Sequence, residues 1–491
     1  MHGTWVMQEV PWPPEVTATV RAFAAGCELA WLDSAVTDGL PTSPARYSLV
    51  CREPVALLEQ KEGASAEFSI AGRIVAANPN GWELWRDALR HSPRWPPATW
   101  DISPGWVGYV GFEMARQLER LPSSHREDLG LPLLRMALYD RGIVLDHRRR
   151  RAYAVGAVGM RSELGLSEAP LAALVKDWEQ AVAKEPYRRR PASPQLHFNM
   201  ERGAYERMIR RALEYIAAGD IYQVNLAQRL CFTGVGDPLD AYCELRRVNP
   251  APYAAFLRWS NGAIGSVSPE LFLCKRGRDV LTRPIKGTRP RTRDPVLDRA
   301  YREQLLASEK DAAELAMIVD LHRNDLGRVC DFGSVRVQHA RRLETHPTVF
   351  HTVADVSGRL RPGCDGLDLL RACFPAGSIS GVPKIRALEI IDELEPVARG
   401  VYTGTVGVLG LGGQMTFNVA IRTLQFCGQN ATLYVGGGIV ADSEPAEEYE
   451  ETLAKARGIV NALTMASGEL RSVAMDGDRP SVGTGGGSDC P

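Results

Sequence analysis

The segment Pro375-Ala-Gly-Ser-Ile-Ser-Gly-Val-Pro-Lys384 runs straight into an apolar, helix-like stretch. Its unpaired backbone N–H groups and the positive end of that helix could hold an anion. It is not a phosphate-binding P-loop, because three residues separate Gly377 from Gly381 and no Lys follows the second glycine. A tight loop preceding a helix is the plainer structural account. Gly436-Gly437-Gly438 follows a strand-like run, a pattern suited either to close approach of backbone to a ligand or to a bulge. Glu447, Glu448, Glu450 and Glu451 crowd the opening of a helix, where the dipole alone favours acids. Zinc chemistry finds no support: the nine His include no HExxH and the ten Cys no CxxC pair. Cysteines such as Cys274, next to Leu271-Phe272-Leu273, read as small core residues of a reducing compartment.

The elements that must position these groups fall into an α/β or α+β pattern of large sheets covered by helices. Apolar spacing predicts helices over Tyr205 to Ala218, Tyr301 to Leu326, Val382 to Leu394 and Pro445 to Leu463. Strand-like runs include Gly105 to Phe112, Ala137 to Leu145, Ala263 to Val267, Thr403 to Leu409, Thr416 to Leu424 and Thr432 to Val435. A Pro- and Arg-rich stretch, 185–194, places a boundary near residue 195, giving an N-terminal domain over 1–194 and a catalytic domain over 195–470. The Gly- and Ser-rich tail, 471–491, is expected to be disordered.

With 58 basic and 59 acidic residues among 491, the net charge of −1 provides no summed field for nucleic acid or an acidic membrane. Arg148 to Arg151, between two strand-like runs, reads as a solvated hairpin end. No apolar run approaches the roughly 18 residues of a membrane helix, and Glu9, Pro11, Pro13 and Pro14 stand where a signal sequence would be apolar, so the cytoplasm is the expected compartment.

Seven segments, taken in order, resemble one family. They are Gly219-Asp-Ile-Tyr-Gln-Val-Asn-Leu-Ala-Gln-Arg229, Ser268-Pro-Glu-Leu-Phe272, Pro284-Ile-Lys-Gly-Thr288, Ala316 to Asp325, the Pro375 loop, Ala420-Ile-Arg-Thr423 and Gly436 to Ser443. The chain is similar through them to the chorismate-utilising enzymes, which include anthranilate synthase component I, aminodeoxychorismate synthase component I and the isochorismate synthases. Position 286 discriminates within the family, where Ala is usual in the first and last groups and Lys in the second. Lys286 therefore makes the chain resemble the aminodeoxychorismate synthase branch. Gln223 supports this, since isochorismate synthases place a base Lys there.

The resemblance implies the chorismate-binding enzyme fold and, as substrate, chorismate, a cyclic diene with two carboxylates, an enolpyruvyl ether and a C4 hydroxyl. It gives Glu270 the role of acid and Lys286 that of nucleophile at C2, with ammonia then entering at C4. Such roles need a Glu that keeps its proton near neutral pH and a Lys that is uncharged there. It implies Mg2+ held by Glu314 and Glu451, a grip on the enolpyruvyl carboxylate by Arg422 and Tyr402, and substrate contacts from His351, Ser378, Gly436, Gly437 and Gly438. A tryptophan pocket, regulatory or merely structural, would comprise Ser34, Arg46, Tyr47, Pro252, Tyr253 and Ala254. No Gly-x-Cys-x-Gly segment is present, so ammonia is expected from a separate glutamine amidotransferase subunit. Anthranilate synthase chemistry, or a non-catalytic subunit that binds chorismate or tryptophan, are the competing readings.

Overall fold

A computed structural model describes residues 4–34, 46–91, 95–98, 100–167, 169–185, 192–346 and 349–464. The expected disordered tail lies outside the described residues. Among the described residues two twelve-stranded sheets are built from antiparallel pairs. In the first, Leu29–Asp33 lies beside Tyr253–Trp259, which pairs with Gly262–Ser268. In the second, Thr405–Gly410 pairs with Gly105–Val110, from Thr405 opposite Val110 to Gly410 opposite Gly105. Both sheets thus draw strands from either side of residue 195.

The inner faces meet in a common core, to which Leu49, Val144, Leu257 and Ile264 come from the first sheet and Val107, Val406 and Val408 from the second. Helices Leu171–Val182, Pro238–Val248 and Pro445–Thr464 cover the outer face of the first. Gly81–His91, Glu309–Gly327 and Gly366–Cys373 cover the second. With both faces covered, a strand such as Gly105–Val110 is buried along its whole length and shows no polar alternation. Helix Arg202–Ala217 buries Tyr205, Met208, Ile209 and Ala212, the one-sided spacing expected of it.

Three expected elements are divided. The helix over Tyr301 to Leu326 is two helices, Pro295–Ala307 and Glu309–Gly327. Ser308 stands extended between them and caps the second, its hydroxyl accepting the Asp311 N–H at 3.2 Å. The strand over Thr416 to Leu424 is Met415–Asn418 in the second sheet and Thr423–Cys427 in the first. Ala137 to Leu145 divides in the same way, into Leu134–Leu138 and Arg141–Asp146. The chain changes sheets at both places, and apolar pattern alone does not register such a crossing. The helix expected from Val382 starts at Lys384, because Gly381–Val382 pairs with Gln223 and Val224. Arg148 to Arg150 form an exposed turn between two strands. Among the described residues no helix is long and apolar enough to cross a membrane.

Candidate active site

Glu270 sits where the chain passes from the first sheet to the second, between Gly262–Ser268 and Leu271–Arg276. Its backbone is fixed on both sides: its N–H donates to Ser268 Oγ at 3.2 Å and its carbonyl accepts the Val419 N–H at 3.1 Å. Only 3% of the residue is exposed, and Ser378 Oγ donates to Oε1 at 2.5 Å. Burial pushes the carboxyl up to about 7, against the opposing effects of the Ser378 hydroxyl, the Lys286 charge and the Ile285 N–H. A carboxyl so poised can give up a proton near neutral pH.

Lys286 lies on the edge strand Ile285–Pro290, where Gly287, at φ +77°, shifts the register against Val349–Arg359. Its carbonyl accepts the Thr352 hydroxyl. Its amine points at Gly438 of the other sheet, so that a Cβ built there would stand 3.3 Å from Nζ. Burial drives the amine's pKa down; Glu314, Glu270 and Glu451 oppose the shift and Lys455 adds to it. Three of the arginines near it in sequence are engaged elsewhere: Arg283 with Asp355, Arg289 with Asp311 at 3.2 Å and Arg291 with Asp298 at 3.2 Å.

The three glycines form an unbulged strand, in continuous register with Gln223–Thr233 from Val224 opposite Ile439 to Phe232 opposite Ala431. Added Cβ atoms would meet the Leu226 carbonyl at 2.4 Å from Gly436, Glu448 Oε2 at 2.8 Å from Gly437, and Gln223 Nε2 at 2.3 Å from Gly438. Gly436 is thus required by the neighbouring backbone, while at Gly437 and Gly438 the side chains of Glu448 and Gln223 close in on the strand.

Arg422 occupies the crossing between the sheets with φ +51°, a strained value for a residue with a side chain. Burial alone pushes its pKa down, and among the described residues no carboxylate pairs with it. Such a guanidinium is a ready seat for a carboxylate. Beside it, His351 is 2% exposed, with Nδ1 2.8 Å from Thr288 Oγ1 and Nε2 lacking a partner. Burial, then Arg422 and His346, keep that imidazole neutral. Tyr402 stacks on Tyr434 with ring centroids 5.2 Å apart, and its hydroxyl, pushed up to about 12 chiefly by burial, lies beside Asn225. Among the described residues Gln223 Oε1 is likewise buried without a partner. Buried polar atoms left open in this way are expected to meet a polar ligand or ordered water.

Glu314 comes from helix Glu309–Gly327 and Glu451 from helix Pro445–Thr464. Burial raises Glu314, and the charges of Asp311 and Glu451 add to this. Glu451 is lowered by Lys455, whose amine is 2.7 Å from Oε1. Glu448, one turn earlier, is also raised by burial and accepts the Ser443 hydroxyl at 2.6 Å. Among the described residues no group of three or more His, Cys, Asp or Glu side chains is arranged to hold a metal unaided. Glu314 and Glu451 offer hard oxygen donors from two helices, the donor type that suits Mg2+.

A separate cavity, of about 50 Å³, is lined by Tyr47, Pro252, Tyr253 and Ala254 together with Asp33 and Asn418. Ser34 and Arg46 stand outside its wall. Ser34 donates its N–H to Ser48 Oγ at 2.9 Å, and Arg46 pairs with Asp146 at 3.0 Å while lying 4.7 Å over the Tyr47 ring.

Sequence reasoning did not place Asn225, Glu448 or Lys455 in the site, and treated Gln223 only as a missing base. A signal existed for two of them. Glu448, Glu451 and Lys455 are spaced three and four apart and share one helical face.

A family model described as "chorismate binding enzyme" matches residues 42–461. The chain is 42% identical over 359 residues to aminodeoxychorismate synthase component 1 of Klebsiella aerogenes, covering 73% of this chain and 77% of that protein. It is 40% identical over 420 residues to anthranilate synthase component 1 of Streptomyces coelicolor, covering 82% of each. The crystal structure of anthranilate synthase component I from Streptococcus pneumoniae superposes with a TM-score of 0.74 at 31% identity, over 86% of this chain and 93% of that one.

Proposed function

We propose that this chain, which belongs to the chorismate binding enzyme family and acts on chorismate, converts it with ammonia to 4-amino-4-deoxychorismate and water. Its relatives carry two different activities at similar identity, so the reading rests on one observation: the Lys286 amine is enclosed, aimed at Gly438 and coupled to Glu270. In this scheme the neutral amine adds at C2 of the diene as Glu270 delivers a proton to the C4 hydroxyl, which leaves as water. The ring double bonds shift accordingly, and the carboxylate regains a proton from the nitrogen that has added. Ammonia then attacks C4, the double bonds shift back, Glu270 returns the proton to the lysine nitrogen so that it leaves as a neutral amine, and the carboxylate takes the proton that the new C4 ammonium gives up. Arg422 holds the enolpyruvyl carboxylate, with Tyr402 and the open nitrogen of His351 completing that end of the pocket. Glu314 and Glu451, with Glu448 behind them, would hold Mg2+, which supplies charge neutralisation for the ring carboxylate. The ammonia comes from a separate glutamine amidotransferase, a division of labour that the "component 1" of the relatives' names supports.

The test is product identity. The pure chain, given chorismate, Mg2+ and ammonium at alkaline pH, is expected to yield 4-amino-4-deoxychorismate, which an added lyase converts to 4-aminobenzoate. Fluorescent anthranilate would replace this reading with C2 amination, and binding without turnover would replace it with a non-catalytic subunit.

A further inference from the structure

The loop that carries Ser378 is closed at its neck by a largely buried ion pair. Lys384 is the first residue of helix Lys384–Leu394, which has no side-chain cap and begins with a cation where the helix dipole disfavours one. Its amine donates to Asp325 Oδ2 at 2.7 Å and to the Cys373 carbonyl at 2.9 Å, the latter at the end of helix Gly366–Cys373. The side chains of Lys384 and Asp325 are 14% and 6% exposed. One ammonium therefore ties both ends of the loop 374–383 to helix Glu309–Gly327, against which Gly377 is pressed: a Cβ there would stand 2.4 Å from Leu321 Cδ2. The later half of the loop has holds of its own, since Ser380 and Val382 carbonyls accept N–H groups of Asn225 and Tyr222 and the Ile379 carbonyl accepts from Arg399. The earlier half, with Ser378, has the Ser380 hydroxyl on the Ala376 carbonyl at 3.1 Å and the buried Phe374 and Ala376, and the neck is what fixes where it stands along helix Glu309–Gly327.

We propose that the Lys384–Asp325 pair is a positioning device that keeps the Ser378 hydroxyl on Glu270, and so sets the pH at which the acid works. This rests on Glu270 being the proton donor. Among the described residues Lys286 is the charged group that acts on Glu270, and the other groups facing it are the Ser378 hydroxyl and the Ile285 N–H. The Ser378 hydroxyl stabilises the carboxylate, so its withdrawal raises the pKa of Glu270.

The test compares pH–kcat profiles for Lys384→Met, Asp325→Asn, Ser378→Ala and the Lys384→Met/Ser378→Ala double variant, with ammonium as nitrogen source. Each single variant should lower kcat about tenfold and move the alkaline limb to higher pH, and the double variant should match Ser378→Ala. Lys384→Arg, which keeps a cation on Asp325, should restore the wild-type limb. Asp325→Asn preserves shape and serves if Lys384→Met does not fold. An unmoved limb in Asp325→Asn, or a further shift in the double variant, overturns the proposal. Titration of the Glu270 carboxyl by 13C NMR in the same proteins reads the shift without turnover. A wild type that makes no aminodeoxychorismate therefore refutes the proposed reaction while leaving the clasp separately testable.

Discussion

Gly438→Ala perturbs the surroundings of the attacking Lys286 amine by a single methyl group. The added carbon would stand 2.3 Å from Gln223 Nε2 and 3.3 Å from Lys286 Nζ. Reaching ordinary contact near 3.4 Å requires the Gln223 amide to retreat by about 1 Å, and Gln223 is 1% exposed, with no solvent to turn into. The displaced amide and the methyl together push the amine off its line to C2, and a misplacement of about 1 Å at a reacting group costs about 100-fold in rate. Stability should change little. Loss of glycine freedom favours folding by about 0.4–1 kcal/mol, which offsets part of a local overpacking cost of about 1–3 kcal/mol. Steady-state kcat with chorismate and ammonium, measured beside thermal unfolding, should show a drop of about two orders of magnitude with a shift in Tm of a few degrees. A variant with wild-type kcat would refute the placement of the amine opposite this strand.

Glu270→Gln should lower kcat by about 10²–10⁴ and should also change the pH dependence of stability. Because the folded carboxyl is raised, the fold prefers its protonated form, and the wild type loses stability as pH climbs from the ordinary 4.5 to about 7, by up to about 3 kcal/mol. The variant has no such proton to lose, so its Tm relative to wild type should rise between pH 5 and pH 8; a constant difference would contradict the burial argument. Arg422→Lys keeps the charge but loses the planar fork, and should raise the KM for chorismate at least tenfold while leaving the KM for ammonium unchanged. An equal rise in both would remove Arg422 from the carboxylate seat.

The candidate site residues were picked out in the sequence by the family resemblance of short strings such as Ser268-Pro-Glu270 and Pro284-Ile-Lys286, since taken alone such a Glu or Lys reads as an ordinary strand-end or loop residue. What the strings could not give is who faces whom. Glu270 and Ser378 are 108 positions apart, and only the Pro375 loop folding back joins them. That contact makes Ser378 a partner of the acid. Gln223 and Asn225 became site residues through their strand's pairing with the glycines, a register that local pattern does not encode. The division of Thr416 to Leu424 was hidden for a related reason: a run buried in either sheet looks the same, and the crossing that strains Arg422 leaves no apolar signature. In the second cavity, Tyr47 and Tyr253 line the wall as their strands suggest, whereas Arg46 is drawn aside by Asp146, a partner 100 positions away.

The covalent step can be caught directly. With chorismate and Mg2+ but without ammonium, the second half-reaction has no nucleophile, so acid quenching and peptide mass spectrometry should find the peptide containing Lys286 heavier by chorismate less one water. Lys286→Met should show no such adduct and no aminodeoxychorismate, with an unchanged unfolding transition. An unmodified Lys286 peptide from enzyme that makes aminodeoxychorismate once ammonium is added, or turnover by Lys286→Met, would contradict the account.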